Sequence, residues 1–213
     1  PVPDGTTVYF ETEGGTIEPS CQTSDGACSV TWTSQNPRPV NGRATILARA
    51  LGEETFLDLN STGLYEAESD TLETDLPEAF LDTNENGFYD PEQEKYYDYN
   101  EDGQYTEADG KYNGTLCGSS SGCSDELIDV REDTVLVMST SFADIAFDPL
   151  EVTFIDRLNY TEGVQADSQT VTITISDQNG NAMPEGTTIN ASLEGDPANV
   201  ELVGDTSWDM PSQ

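Results

Sequence analysis

Three stretches of this chain repeat one spacing of oxygen-bearing residues, and a segment so acidic folds only if something gathers its carboxylates. They read FLDLNSTGLYEAES (Phe56 to Ser69), FLDTNENGFYDPEQE (Phe80 to Glu94) and YYDYNEDGQYTEADG (Tyr96 to Gly110). Each places an aromatic two residues before an Asp. An Asn follows two residues on, an oxygen-bearing side chain two further, then Gly, and Tyr two after that. Side chains at positions 1, 3 and 5 of such a loop turn their oxygens toward one point, position 7 adds a main-chain carbonyl, and Gly at position 6 permits the sharp turn. Between Asp58 and Asp109 only Lys95 offsets the carboxylates. Bound cations are the available neutraliser.

This grammar resembles the loops of EF-hands and dockerins, and the resemblance implies two to three Ca²⁺ ions. In the first loop the ligand positions are Asp58, Asn60, Thr62, the carbonyl of Leu64, and Glu66. The second offers Asp82, Asn84, Asn86, the carbonyl of Phe88, and Asp90, with Glu92 or Glu94 near the closing position. The third offers Asp98, Asn100, Asp102 and the carbonyl of Gln104, closed by Asp109 at position 12 as a dockerin closes. Mixed carboxylate, amide and carbonyl oxygens suit the six to eight flexible ligands of calcium better than magnesium. Pro77, Pro91 and the surrounding glycines leave little room for flanking helices, so bare stacked loops are expected. Phe56, Phe80, Tyr96 and the position-8 residues Tyr65, Tyr89 and Tyr105 are read as a small core beneath the ions.

The charge balance removes whole classes of function. Forty-two Asp and Glu against seven Lys and Arg give a net charge of −35. Such a field repels phosphate backbones and anionic head groups, so neither nucleic acid nor a membrane surface is an expected partner. With no histidine there is no Ser-His-Asp or Cys-His machinery and no imidazole for a transition metal. No catalytic residues are assigned. Four cysteines allow three pairings, of which the local one, Cys21 with Cys28 and Cys117 with Cys123, is the most economical. Their spacings do not suit zinc, and paired cysteines imply an oxidising, extracytoplasmic address.

The rest of the chain alternates like strands. Candidates are Thr7 to Thr12, Ser29 to Thr33, Arg43 to Leu51, Leu127 to Arg131, Val135 to Ser141, Glu151 to Ile155, Thr170 to Ser176, Thr187 to Ser192 and Val200 to Val203. An internal repeat links the two ends: VPDGTT from Val2 and MPEGTT from Met183 each open an alternating strand. The first copy has no strand before it and the second unit stops partway, as in a piece cut from a tandem array. With Gly14-Gly15-Thr16-Ile17, Asp25-Gly26-Ala27, Val30-Thr31-Trp32-Thr33-Ser34 and Gly42 to Ala48, these motifs resemble bacterial immunoglobulin-like domains of the invasin and intimin type. The resemblance implies an all-β fold of tandem antiparallel sandwiches in a secreted or surface-attached protein. It places one domain at 1–146, lacking its opening strand and carrying a calcium-binding insertion at about 56–115, and an incomplete second domain at 147–213. The expected role is structural or adhesive, toward neighbouring immunoglobulin-like domains, copies of itself, or a host, cell-surface or glycan receptor. A filament subunit joined by strand complementation and a carbohydrate-binding module are the competing expectations.

Overall fold

A computed structural model describes residues 2–118, 121–124, 126–148, 170–194 and 202–211. The chain is all-β: every pairing between named strands is antiparallel, and no helix occurs among the described residues. It divides into two compact units, Pro1–Met138 and Ser139–Gln213.

The first unit is organised by a four-stranded sheet of β1 (Thr7–Thr12), β3 (Ser20–Gln22), β5 (Arg43–Gly52) and β10 (Ile128–Val137). Their order across the sheet is β10-β5-β1-β3. β5 buries Ala44, Thr45 and Leu47 and pairs with β10 without a break, from Gly52↔Ile128 to Arg43↔Val137. The segments Leu127 to Arg131 and Val135 to Ser141, expected as two strands, are therefore joined in one, which ends at Val137 rather than Ser141. The acidic pair Glu132-Asp133 reads as an interruption, yet it stands opposite Ala48 and Leu47, and the ladder overrides its poor strand propensity. A tight turn follows β3, where Ser24 faces Ala27 across Asp25 (φ 54°) and Gly26 (φ 79°), a hairpin loop that needs left-handed residues. The Cys21–Cys28 disulfide spans that turn.

A second, two-stranded sheet pairs β2 (Thr16–Ile17) with β4 (Trp32–Thr33), so the strand expected from Ser29 is shorter than its alternation suggests. Trp32 Nε1 donates to the Gly14 carbonyl at 2.9 Å, and its ring lies against Gly15. A Cβ at Gly15 would meet that ring at 2.6 Å, and its φ is +75°, so only glycine fits.

Between β5 and β10 lies the insertion, held by two short pairs. These are β6 (Phe56–Leu57) with β7 (Thr71–Leu72) and β8 (Ala79–Phe80) with β9 (Tyr96–Tyr97). Its residues belong to the core: the largest fully buried side chains include Tyr112 and Glu78 beside Leu47 and Ile128. The second disulfide, Cys117–Cys123, closes near its end.

In the second unit β11 (Ala143–Asp148) pairs with β12 (Thr172–Asp177), and β13 (Thr188–Asn190) with β14 (Ser207–Asp209). A boundary at 146 would cut β11, which pairs within this unit. The expected strand Glu151 to Ile155 and the start of Val200 to Val203 lie outside the described residues, and Leu202 and Val203 are not in a strand.

The internal repeat has a structural counterpart. Thr6 N bonds Pro3 O and Thr187 N bonds Pro184 O, with Gly5 (φ 84°) and Gly186 (φ 79°) in the same left-handed conformation. Gly5 N then reaches Thr23 O as Gly186 N reaches Met210 O, and Thr23 N returns to Thr6 O as Met210 N returns to Thr187 O. The ladder Thr7↔Gln22, Val8↔Cys21, Tyr9↔Ser20 matches Thr188↔Asp209, Ile189↔Trp208, Asn190↔Ser207.

Candidate metal loops

The three repeated loops share one hydrogen-bond frame. In each, the position-1 carboxylate accepts the main-chain N–H of positions 5 and 6. Asp58 takes Thr62 at 3.2 Å and Gly63 at 2.8 Å; Asp82 takes Asn86 at 3.2 Å and Gly87 at 2.7 Å; Asp98 takes Asp102 at 3.1 Å and Gly103 at 2.8 Å. The position-3 amide oxygens of Asn60, Asn84 and Asn100 accept the same position-5 N–H at 3.0–3.1 Å. Position 4 is left-handed in all three, at Ser61 (φ 61°), Glu85 (60°) and Glu101 (58°), as is the glycine at position 6 (74°, 79° and 77°). Ordinary residues adopt such angles only when their surroundings impose them. Here the converging Asx turns do so.

Each frame is closed by a carboxylate that bridges the N–H groups of positions 2 and 9. Asp70 bridges Leu59 (3.0 Å) and Glu66 (2.8 Å), and Glu94 bridges Thr83 (2.8 Å) and Asp90 (3.0 Å). In the third loop the bridge to Tyr99 (3.1 Å) and Thr106 (3.0 Å) is made by Glu78, which precedes the second loop. Asp109, expected to close that loop, instead accepts Lys111 N at 2.9 Å and pairs with Lys111 Nζ at 2.8 Å. The loop grammar places its closing residue downstream and so does not point to Glu78. Asp70 lies one residue beyond position 12 of the first loop, and Glu92, expected near the closing position of the second, is exposed outside the frame.

The remaining positions are close at hand. Asn84 and Asn86 Nδ2 both donate to Asp90, at 2.6 and 2.8 Å, and Asn60 Nδ2 donates to Glu66 at 2.5 Å. The carbonyl of Leu64 takes the Thr62 hydroxyl at 3.1 Å, while Phe88 N and Gln104 N each bond the position-5 side chain at 2.7 Å. Among the described residues no group of three or more Asp, Glu or Cys side chains is arranged to hold a metal ion as it stands.

The charges are unevenly stabilised. The Gly63 N–H is the main cause holding the Asp58 carboxyl below the usual range. Burial pushes Glu78 up, with Asp98 and Asp102 adding like-charge repulsion, even though Thr106 and Tyr99 donate to it. Glu54 is also buried and raised chiefly by that burial.

Aromatic residues pack the loops in pairs. Tyr89 and Tyr105, both at position 8, stand 4.2 Å apart between Phe80 and Tyr96. The first loop's Phe56 and Tyr65 cluster with Tyr112 at 5.1 and 5.2 Å. Such contacts contribute ~0.5–1.5 kcal/mol each beyond burial.

The chain has seven basic residues, and four of them join the insertion to the sheet. Arg43 on β5 grips Glu85 through two bonds of 2.6 Å, and Arg131 on β10 donates to the Phe80 carbonyl while its guanidinium lies 4.0 Å from that ring. Lys95 and the Tyr97 hydroxyl meet Glu11 on β1, and Arg49 lies 4.0 Å from the Tyr97 ring and 2.7 Å from Asp129. A buried bond from Thr45 Oγ1 to Asp82 O, 2.7 Å, fixes the first ligand of the second loop directly to β5. The sheet thus holds the loops from beneath. Compared with family models, curated proteins and solved structures, the chain gives no match.

Proposed function

We propose that this chain is a calcium-stabilised structural or adhesive module of a secreted or cell-surface bacterial protein built from tandem immunoglobulin-like domains. The observation that carries the reading is the identical frame in three separate loops: position 1 braced by positions 5 and 6, and a carboxylate bridging positions 2 and 9. Such repetition has no use in a merely solvated acidic segment.

Asp58, Asn60, Thr62, Leu64 O and Asp70 would hold one ion. Asp82, Asn84, Asn86, Phe88 O and Glu94 would hold a second, and Asp98, Asn100, Asp102, Gln104 O and Glu78 a third. Calcium supplies positive charge that offsets the repulsion between these carboxylates. The chain supplies preorganisation, because the Asx turns already fold each loop around its first ligand. With sites of the extracellular affinity class, calcium at 100 times Kd stabilises by about 2.7 kcal/mol per site. The result is a stiff lobe on the four-stranded sheet, suited to shape, protease resistance and presentation of a surface. Two disulfides fit the oxidising setting, and the duplicated turn-and-ladder geometry supports a tandem array.

Limited proteolysis with and without a chelator tests the reading. Cleavage between Phe56 and Thr115 that appears only after calcium is removed is the expected result. Equal resistance in both conditions contradicts it.

A further inference from the structure

The frame occurs a fourth time, divided between two distant parts of the chain. Gly110 (φ 75°) donates to Asp75 Oδ2 at 2.9 Å, as the position-6 glycines donate to Asp58, Asp82 and Asp98. Leu76 N and Asn113 N donate to opposite oxygens of Glu54, at 2.6 and 2.8 Å, as Tyr99 N and Thr106 N donate to Glu78. Lys111 N bonds Asp109 Oδ1 at 2.9 Å, matching Gln104 N on Asp102. Asp75 thus stands at position 1, and Asp109, Gly110, Lys111, Tyr112 and Asn113 at positions 5 to 9, with Glu54 as the closing carboxylate.

The aromatic packing follows the same assignment. Tyr112 meets Tyr65 at 5.2 Å as Tyr105 meets Tyr89 at 4.2 Å. Glu54 stands four residues before Asp58 and Glu78 four before Asp82, so in each pair of loops the acid preceding the first loop closes the second. The sequence spacing hides this because Asp75 and Gly110 lie 35 residues apart, and just beyond β7 Glu73 N and Thr74 N both donate to Thr55 O, shifting Asp75 by one residue.

One feature sets this place apart. Asp75 Oδ1 is buried and has no hydrogen-bond partner. In the other three loops the corresponding oxygen accepts the position-5 N–H. A buried carboxylate oxygen left without a donor is costly, and a cation satisfies it.

We infer that Asp75, Asp109, Asn113, Glu54 and the Lys111 carbonyl form a fourth divalent-cation site, split across the insertion and selective for an oxygen-seeking ion such as calcium. The Lys111 ammonium, 2.8 Å from Asp109 Oδ2, holds that carboxylate until a divalent ion displaces it. The ion ties the segment after Leu72 to the segment before the Cys117–Cys123 disulfide. It thereby closes the insertion on itself. The inference rests on the calcium reading of the three continuous loops, and the test separates the two.

Native mass spectrometry of the full chain, equilibrated with calcium and compared with chelator-treated protein, counts the ions. Four are expected, falling to three in Asp75→Asn and in Asp109→Ala, whose side chain is exposed. The double variant Asp98→Asn with Asp109→Ala is expected to keep two. Three ions in the parent and an unchanged three in both single variants overturn the fourth site while leaving the continuous loops standing. Three ions in the double variant also overturn it, because Asp98 and Asp109 then serve one ion. No ion in the parent chain overturns the calcium reading and this inference together.

Discussion

Replacing Glu78 with Gln separates a ligand-closing role from a purely structural one. The Glu78 side chain is fully buried and accepts Tyr99 N and Thr106 N, one on each oxygen. Gln offers one acceptor, so its amide group faces the other N–H and leaves a buried donor unsatisfied, at a cost of about 1–3 kcal/mol. Without calcium this cost is offset, because burial and the charges of Asp98 and Asp102 already disfavour the Glu78 anion. The loss in chelator is therefore the smaller of the two, at the low end of that range, about 1 kcal/mol. With calcium the anion is stabilised, and the variant forfeits both the bridge and a charged ligand. A loss of about 2–3 kcal/mol corresponds to a third ion bound roughly 30- to 150-fold more weakly. At roughly 3 °C per kcal/mol, thermal melts in calcium should fall by about 6–9 °C, and in chelator by about 3 °C or less. Glu92→Gln, at an exposed position outside the frame, is the control. Equal drops with and without calcium, or behaviour matching the control, would refute the reasoning.

Four further outcomes follow from the structure. Arg131→Met should destabilise calcium-loaded protein by about 1–3 kcal/mol, since it removes the bond to the Phe80 carbonyl and the stacked guanidinium. Arg43→Met, at a more exposed ion pair, should cost at most about 1 kcal/mol in the same chemical-denaturation measurement. Gly87→Ala meets no atom within 4 Å, so its whole penalty is the left-handed backbone (φ +79°), about 1–2 kcal/mol, read as a raised calcium midpoint in a fluorescence-monitored titration. In the second unit, Thr140 N–H is the main cause lowering the Asp177 carboxyl, joined by Asn181 and Asn179. Its stabilising contribution is complete above the unfolded aspartate value near ~3.9 and is lost as pH falls through the lower folded value, so Asp177→Asn should flatten the acid end of that unit's pH–stability curve.

How much of this was legible depended on whether the signal was local. Asp58, Asp82 and Asp98, with their glycines five residues on, announce the loops because every contact in an Asx turn spans only a few residues. The Pro-acid-Gly-Thr turns at Gly5 and Gly186 were readable for the same reason. The local disulfides were readable because a short loop is the cheapest to close. Glu78, Glu54 and Asp75 were not, since their partners lie far along the chain and nothing in their immediate neighbours distinguishes them from other surface acids. β10 failed from the opposite cause: Glu132 and Asp133 are locally wrong for a strand, and only pairing with β5 holds them there. The seam of Arg43, Arg49, Lys95 and Arg131 was hidden too. A charge total of −35 reports how scarce the cations are, and only the fold shows that they gather where the acidic loops meet the sheet.

Calorimetric titration of calcium into the chelator-treated full chain tests the central claim most directly. The account predicts saturable binding of several ions and a thermal midpoint that rises with calcium, each site at 100 times its Kd adding about 2.7 kcal/mol of stability. Absence of heat and an unmoved midpoint at millimolar calcium would contradict it, leaving the acidic frames without an ion to explain them.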